Sequence, residues 1–187
     1  MIPCKIYRKE DKIERKPFMD IREVRKCEVE KVSQFLLKTM EDVYPFQIGD
    51  ASMRDLTDME SLYINRSKAT ILAAFSKGKV VGTIALRPYD GRISLLRDRY
   101  DLVQTCEIIK CYVDKNARRQ GIGTRLYEAI ERYSNIAGYK MMYLHTHKFL
   151  PGGLSFWRKK GFDETLDEFD EWQTVNFEKE IISTKYE

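Results

Sequence analysis

Apolar positions along this chain switch between two periods, and the switches mark out its elements. Phe18 to Val24 alternates apolar and polar residues and predicts a strand. Val29, Val32, Phe35, Leu36, Met40 and Val43 then recur at helical spacing, a stripe that Tyr44 and Pro45 terminate. Asp50 or Ser52 is placed to cap a second, shorter helix with Met53, Leu56, Met59, Leu62 and Tyr63 on its apolar face. Two apolar runs, Ala69 to Phe75 and Val80 to Leu86, flank the turn signal Ser76-Lys77-Gly78-Lys79 and predict a hairpin. Arg87 to Val103 is a polar connection with a short helix expected at Ile93 to Leu96.

The run Cys106-Glu107-Ile108-Ile109-Lys110-Cys111-Tyr112-Val113 is apolar and β-branched enough for a core strand, and it feeds Arg118-Arg119-Gln120-Gly121-Ile122-Gly123-Thr124. Leu126, Ala129, Ile130, Tyr133 and Ala137 follow at helical spacing. Another strand is expected at Met141 to Leu144, a helix from Leu154 that closes on Gly161-Phe162, and one or two last strands within Glu171 to Ile182. With no internal repeat or low-complexity stretch, residues 18–187 read as one mixed α/β domain. Residues 1–17 read as a charged N-terminal segment, either a tail or a poorly anchored first strand.

Composition narrows the class. A chain of 187 residues with 43% apolar and 33% charged residues can bury a full core as one globular domain. No apolar run approaches a membrane span, and the basic N-terminus lacks the apolar stretch of a secretory signal, so a cytoplasmic protein is expected. Cys4, Cys27, Cys106 and Cys111 show no paired ligand spacing, and Cys106 and Cys111, five apart on one strand, should point to opposite faces. That argues against structural disulfides and a zinc site. His145 and His147 stand at strand spacing without a third ligand nearby, so no metal is expected and polar lining of a cleft is the simpler reading. The net charge of +4, without a long Lys/Arg block, points to an anionic small ligand rather than to nucleic acid.

Strand, basic glycine turn and helix, in that order, make a phosphate cradle. Gly121 and Gly123 let backbone approach an anion, and the first helical turn offers unpaired N–H groups and a positive dipole end. Lys110, Lys115, Arg118, Arg119 and Arg125 against Asp114 leave the stretch at net +4. A dinucleotide fingerprint would need a glycine where Leu126 stands, and a P-loop would need Lys-Ser/Thr where Thr124-Arg125 stands. What remains, Arg-x-x-Gly-x-Gly after a Glu-bearing strand, resembles the coenzyme A turn of the GNAT acetyltransferases. The helix ending in Gly161-Phe162 resembles the one that closes that family's cofactor site, so the likeness spans roughly Gln104 to Phe162.

The resemblance implies a mostly antiparallel central sheet with a splayed parallel strand pair, flanked by helices. It implies acetyl-CoA as co-substrate, its pantetheine arm along the backbone of Cys111, Tyr112 and Val113 and its pyrophosphate on residues 119 to 124, with Arg118 supplementing. It also implies an amine acceptor held beside the two N-terminal helices, with Tyr44 to Arg66 and Tyr89 to Val103 setting its choice through acidic contacts. Glu107 stands where several relatives carry a general base; its other reading is a surface-facing strand glutamate paired with Lys110 or Arg87. Trp157 occupies the place of a tyrosine that protonates the leaving thiolate in many relatives, and an indole N–H is not a practical acid. Tyr143 and His145 are the nearest substitutes in sequence. The outcome expected is an N-acetyltransferase working by direct transfer to a small-molecule primary amine, with a non-catalytic coenzyme A sensor or regulatory module as the alternative. A homodimer is compatible with either.

Overall fold

In a computed structural model of the protein, residues 19–96 and 98–182 are described. The charged segment 1–17 lies outside the described residues. Strands β1 (Met19–Glu23), β2 (Thr70–Ser76), β3 (Lys79–Pro88), β4 (Thr105–Val113), β5 (Met141–His147), β6 (Asp163–Asp167) and β7 (Thr174–Glu180) build one sheet in the order β1-β2-β3-β4-β5-β7-β6. Neighbours are antiparallel except β4 and β5. Helices α1 (Val29–Val43) and α2 (Asp50–Thr57) cover one face, and α3 (Ile122–Ile136) and α4 (Gly153–Lys159) the other.

Two buried clusters hold these layers together, and both follow from the sequence periods. Val32 and Leu36 of α1, Leu56 of α2, and Met59 and Tyr63 of the turn after it pack on Ile71, Ala73 and Ala85. Ile122, Leu126 and Ile130 of α3, with Trp157 and Phe162, pack on Leu72, Ile84, Cys106 and Ile108. Burying such aliphatic side chains contributes roughly 1.5–3 kcal/mol each. Gly82 makes the start of α3 possible at this depth. A Cβ there would stand 3.0 Å from Leu126 and 3.2 Å from the Tyr112 carbonyl.

Several details differ from the sequence expectation. The cap of α2 is Gly49, and Asp50 is its first helical residue, where a carboxylate favours the positive dipole end. The β2–β3 turn is Lys77-Gly78, both in the left-handed region at φ 50° and 74°, the geometry that matches strand twist in a tight hairpin. Strand β6 was not expected, and β5 runs on past Leu144 to His147.

The consequential difference is in β4. Pairing with β3 passes from Thr83↔Tyr112 to Ala85↔Ile109, so Lys110 and Cys111 together oppose Ile84. Lys110 sits at φ 53°, and the Thr83 hydroxyl donates to its carbonyl at 2.8 Å. This β-bulge inserts one residue and reverses the alternation beyond it. Cys106 and Cys111 therefore pack on the same face, not on opposite ones. By the same shift Ile109 and Tyr112 share the α1/α2 face.

Parallel pairing between β4 and β5 covers only Thr105↔Met141, Cys106↔Met142 and Glu107↔Tyr143. Beyond Glu107 the two strands part, and two cavities open in that gap. Among the described residues no helix is long and apolar enough to cross a membrane.

Candidate active site

Two cavities meet where β4 and β5 diverge. The first, of about 390 Å³, is a groove running from the end of β4 to the start of α3, lined by Cys111, Tyr112 and Val113, by Arg118, Arg119 and Gly121 to Thr124, and by Phe156 and Trp157 of α4. Gly121 precedes α3 at φ 79°, a conformation that side chains resist. Ile122, Gly123 and Thr124 then expose the first helical turn to the groove, where N–H groups lack intrahelical acceptors. A Cβ on Gly123 would stand 3.4 Å from the Phe156 ring, so glycine keeps the passage open. Arg119 itself turns the chain at φ 63°, and Arg118 Nε donates to the Val113 carbonyl at 3.2 Å. Gln120 does not line the groove; its side chain is exposed and turns back to the Asn116 carbonyl at 3.4 Å.

The second cavity, of about 480 Å³, lies between α1, α2 and the parted strands. Its floor is a charge network centred on Glu107. That residue is fully buried, not surface-facing, with Arg87 and Arg92 bonded to its carboxylate. Arg92 grips both of its oxygens, with Nη1 to Oε2 at 2.9 Å and Nη2 to Oε1, while Arg87 Nε donates to Oε2 at 3.0 Å. Burial alone would raise the Glu107 pKa, but Arg92, with His145 and Arg87, brings it below the usual value, so the group stays ionised. Lys110 is not its partner. Its ammonium lies 3.2 Å from Asp55, which also takes Arg87 Nη1 at 3.2 Å. Asp90 accepts from Arg92 at 2.9 Å. Each carboxylate on this floor is thus committed to a cation, while Arg54 on the rim has no charged partner among the described residues.

His145 lines the second cavity, not the groove. Its side chain is 34% exposed, but Nδ1 is buried without a hydrogen-bond partner, 3.6 Å from Glu107 Oε1. Burial lowers its pKa to about 4 against the opposing pull of Glu107, so the ring is neutral near pH 7. His147 faces the same cavity, its ring stacked on Phe149 at 5.1 Å. Tyr143 lies elsewhere. Its side chain is enclosed with Tyr89 and Tyr100, and its hydroxyl donates to Asn176 Oδ1 at 2.6 Å. That placement in the core removes it as a source of a proton for a thiolate. Among the described residues no group of three or more His, Cys, Asp or Glu side chains is arranged to hold a metal ion.

Cys111, Tyr112, Thr146, Leu150 and Trp157 line both cavities and form the seam between them. A split parallel strand pair, a glycine turn opening a helix beyond it and a second cavity across the seam are the makings of a site that joins two substrates. The profile of the acetyltransferase (GNAT) family matches residues 34–162. The chain belongs to the GNAT acetyltransferase family. Its curated relatives include mouse N-acetyltransferase family 8 member 3, 21% identical over 132 residues, and human N-acetyltransferase 8, 25% identical over 115 residues. Those stretches cover 71% and 62% of this chain but 55% and 48% of the relatives, so the chain spans about half the length of the curated proteins it matches. Among solved structures, a GNAT acetyltransferase from Staphylococcus aureus superposes with TM-score 0.72 at 20% identity, covering 88% of this chain and all of that one. The PaiA N-acetyltransferase of Thermoplasma acidophilum in complex with coenzyme A gives TM-score 0.64 at 17% identity over 87% of this chain and 99% of that one.

Within the GNAT fold, most of the charge network around Glu107 was out of reach of sequence reasoning. The Arg87 pairing with Glu107 is among the sequence readings and is present, but Arg92 from an irregular segment and the link through Asp55 of α2 are not announced by any spacing. Tyr44 reads in the sequence as a helix stop and as the first residue of the segment 44–66 beside the acceptor. Its hydroxyl in fact reaches Tyr112 Oη at 3.1 Å.

Proposed function

We propose that this protein transfers an acetyl group from acetyl-CoA directly to the primary amine of a small molecule, both substrates being bound at once. The observation that carries the reading is the seam: a groove suited to an extended chain ending in a polyanion opens end-on into a polar cleft. The groove residues fit coenzyme A. Backbone of Cys111 to Val113 offers a strand-like edge to the pantetheine amides, and the N–H groups of Gly121 to Thr124, with Arg118 and Arg119, receive the pyrophosphate. Strand N–H groups near Tyr112 or Val113 would polarise the thioester carbonyl.

On the acceptor side, Glu107 held ionised by two arginines is a poor proton acceptor by itself. His145 beside it is neutral near pH 7 and can take the proton transiently as it leaves the amine, with Glu107 stabilising the imidazolium that forms against the burial that holds its pKa down. The charge balance of the cleft also bears on the acceptor. Its carboxylates are all paired internally and Arg54 has no charged partner among the described residues, which favours an amine attached to a neutral or anionic remainder over a polycation.

The test is thermal stability with acetyl-CoA, coenzyme A, NADPH and ATP in parallel, followed by thiol release against a panel of amines. Stabilisation by both coenzyme A species but not by NADPH or ATP, with thiol release on a small amine, is the expected result. No stabilisation by either coenzyme A species would overturn the cofactor assignment. Stabilisation without thiol release on any amine would favour the non-catalytic coenzyme A module, which Trp157 in place of a tyrosine recommends.

A further inference from the structure

The departing thiolate needs a proton or a strong hydrogen bond at the seam, and Trp157 cannot supply the proton. Resting on the reaction proposed above, the sulfur must pass between the five residues shared by both cavities. Leu150 has no polar group. Cys111 is a weak donor, and its side chain packs on the α3/α4 core. The Thr146 hydroxyl is far too weak an acid. Tyr112 alone brings a phenol to this position, because the bulge at Lys110 turns it to the same face as Ile109.

Its hydroxyl is also supplied with a proton. Tyr44 Oη lies 3.1 Å away, lines the acceptor cleft, and makes no other hydrogen bond among the described residues, nor does Tyr112 Oη. Two hydroxyls carry two protons, and their mutual bond uses one. When Tyr44 donates to Tyr112, the Tyr112 proton is left to point at a ligand. Both phenols are protonated at neutral pH, and because burial raises their pKa the Tyr112 proton crosses to sulfur only as negative charge develops there, with Tyr44 donating behind it.

We propose that Tyr112 is the thiol-side proton donor of this enzyme and that Tyr44 reloads it from the cleft. As the amine nitrogen bonds to the acyl carbon, the C–S bond breaks with its electron pair on sulfur. The Tyr112 proton moves to sulfur, the Tyr44 proton moves to Tyr112, and cleft water returns a proton to Tyr44. The proton lost by the amine leaves through His145.

The binding of coenzyme A itself tests this without turnover. The thiol of bound coenzyme A is titrated by its ultraviolet thiolate absorbance, with the desulfo-coenzyme A complex as blank, in the wild type, Tyr112→Phe and Tyr44→Phe. A hydrogen bond to the thiolate favours the charged form, so the bound thiol should titrate about one unit lower in the wild type than in Tyr112→Phe. Tyr44→Phe, altered on a loop, should give a smaller shift in the same direction, and it carries the test if Tyr112→Phe does not fold. Tyr112→Phe should also lower kcat about 10- to 100-fold with little change in KM for acetyl-CoA. Equal thiol titration in the wild type and the variants, with coenzyme A affinity retained, overturns the assignment. Failure of the wild type to bind coenzyme A at all would instead sink the underlying reading.

Discussion

The groove and the cleft, though they share a seam, are made of different material. The groove is largely main chain: open strand edge, helix N-terminus, and glycines whose value is what they lack. The cleft is side chain: Glu107, Arg87, Arg92, Asp55, Lys110 and His145, each positioned by another. A site made of backbone is damaged by adding atoms. A site made of an ion network is damaged by removing them.

The largest effect expected is therefore a deletion in the cleft. Glu107→Ala leaves Arg87 and Arg92 facing a buried void with their main anion gone, and should cost about 3 kcal/mol in urea unfolding, the range for breaking a buried ion pair. A cost near zero would mean the network rearranges freely and the contrast fails. Next comes an addition in the groove. Gly123→Leu should weaken coenzyme A affinity by ~100-fold in calorimetric titration, since its side chain must displace the Phe156 ring or the ligand at a cost of ~1–3 kcal/mol. Its melting temperature should change little, because the groove is open. A pH dependence of intermediate size belongs to the cleft alone. His145 has a folded pKa of about 4, below its ordinary value, so the unfolded chain binds the extra proton. Stability from this source is full above about pH 6.5 and falls as pH drops toward 4, and His145→Gln should flatten that part of the curve. The smallest effect is side-chain loss in the groove. Arg119 is exposed, and Arg119→Ala should weaken coenzyme A binding by only about threefold, with greater salt sensitivity lost than affinity.

The same contrast explains what could be read from the sequence. The groove was legible because its requirements are local: Gly121 and Gly123 follow a β-branched run and precede a helical stripe, and pairing in space follows order in the chain. Glu107 and His145 were legible as residue types, but not their setting. Arg92 lies in an irregular segment with no period to place it, and nothing along the chain ties Asp55 of α2 to Arg87 and Lys110. Strand β6 escaped notice because Asp163–Asp167 is an edge, bonded only to β7, and its acidic residues give no apolar alternation. The bulge escaped too, since a lysine at positive φ carries no mark in composition.

That bulge sets a rule about length as well as direction. Glu107 and Tyr112 are an odd number of residues apart, so in an unbroken strand one of them would face α3 and the other α1. One surplus residue brings them to a common side. The spacing between these two positions thus decides whether they can share a cavity. Deleting Lys110 would leave a regular strand with Cys111 to Val113 on their present faces, whereas straightening the strand with Lys110 kept in its register would turn those residues over and part Tyr112 from Glu107.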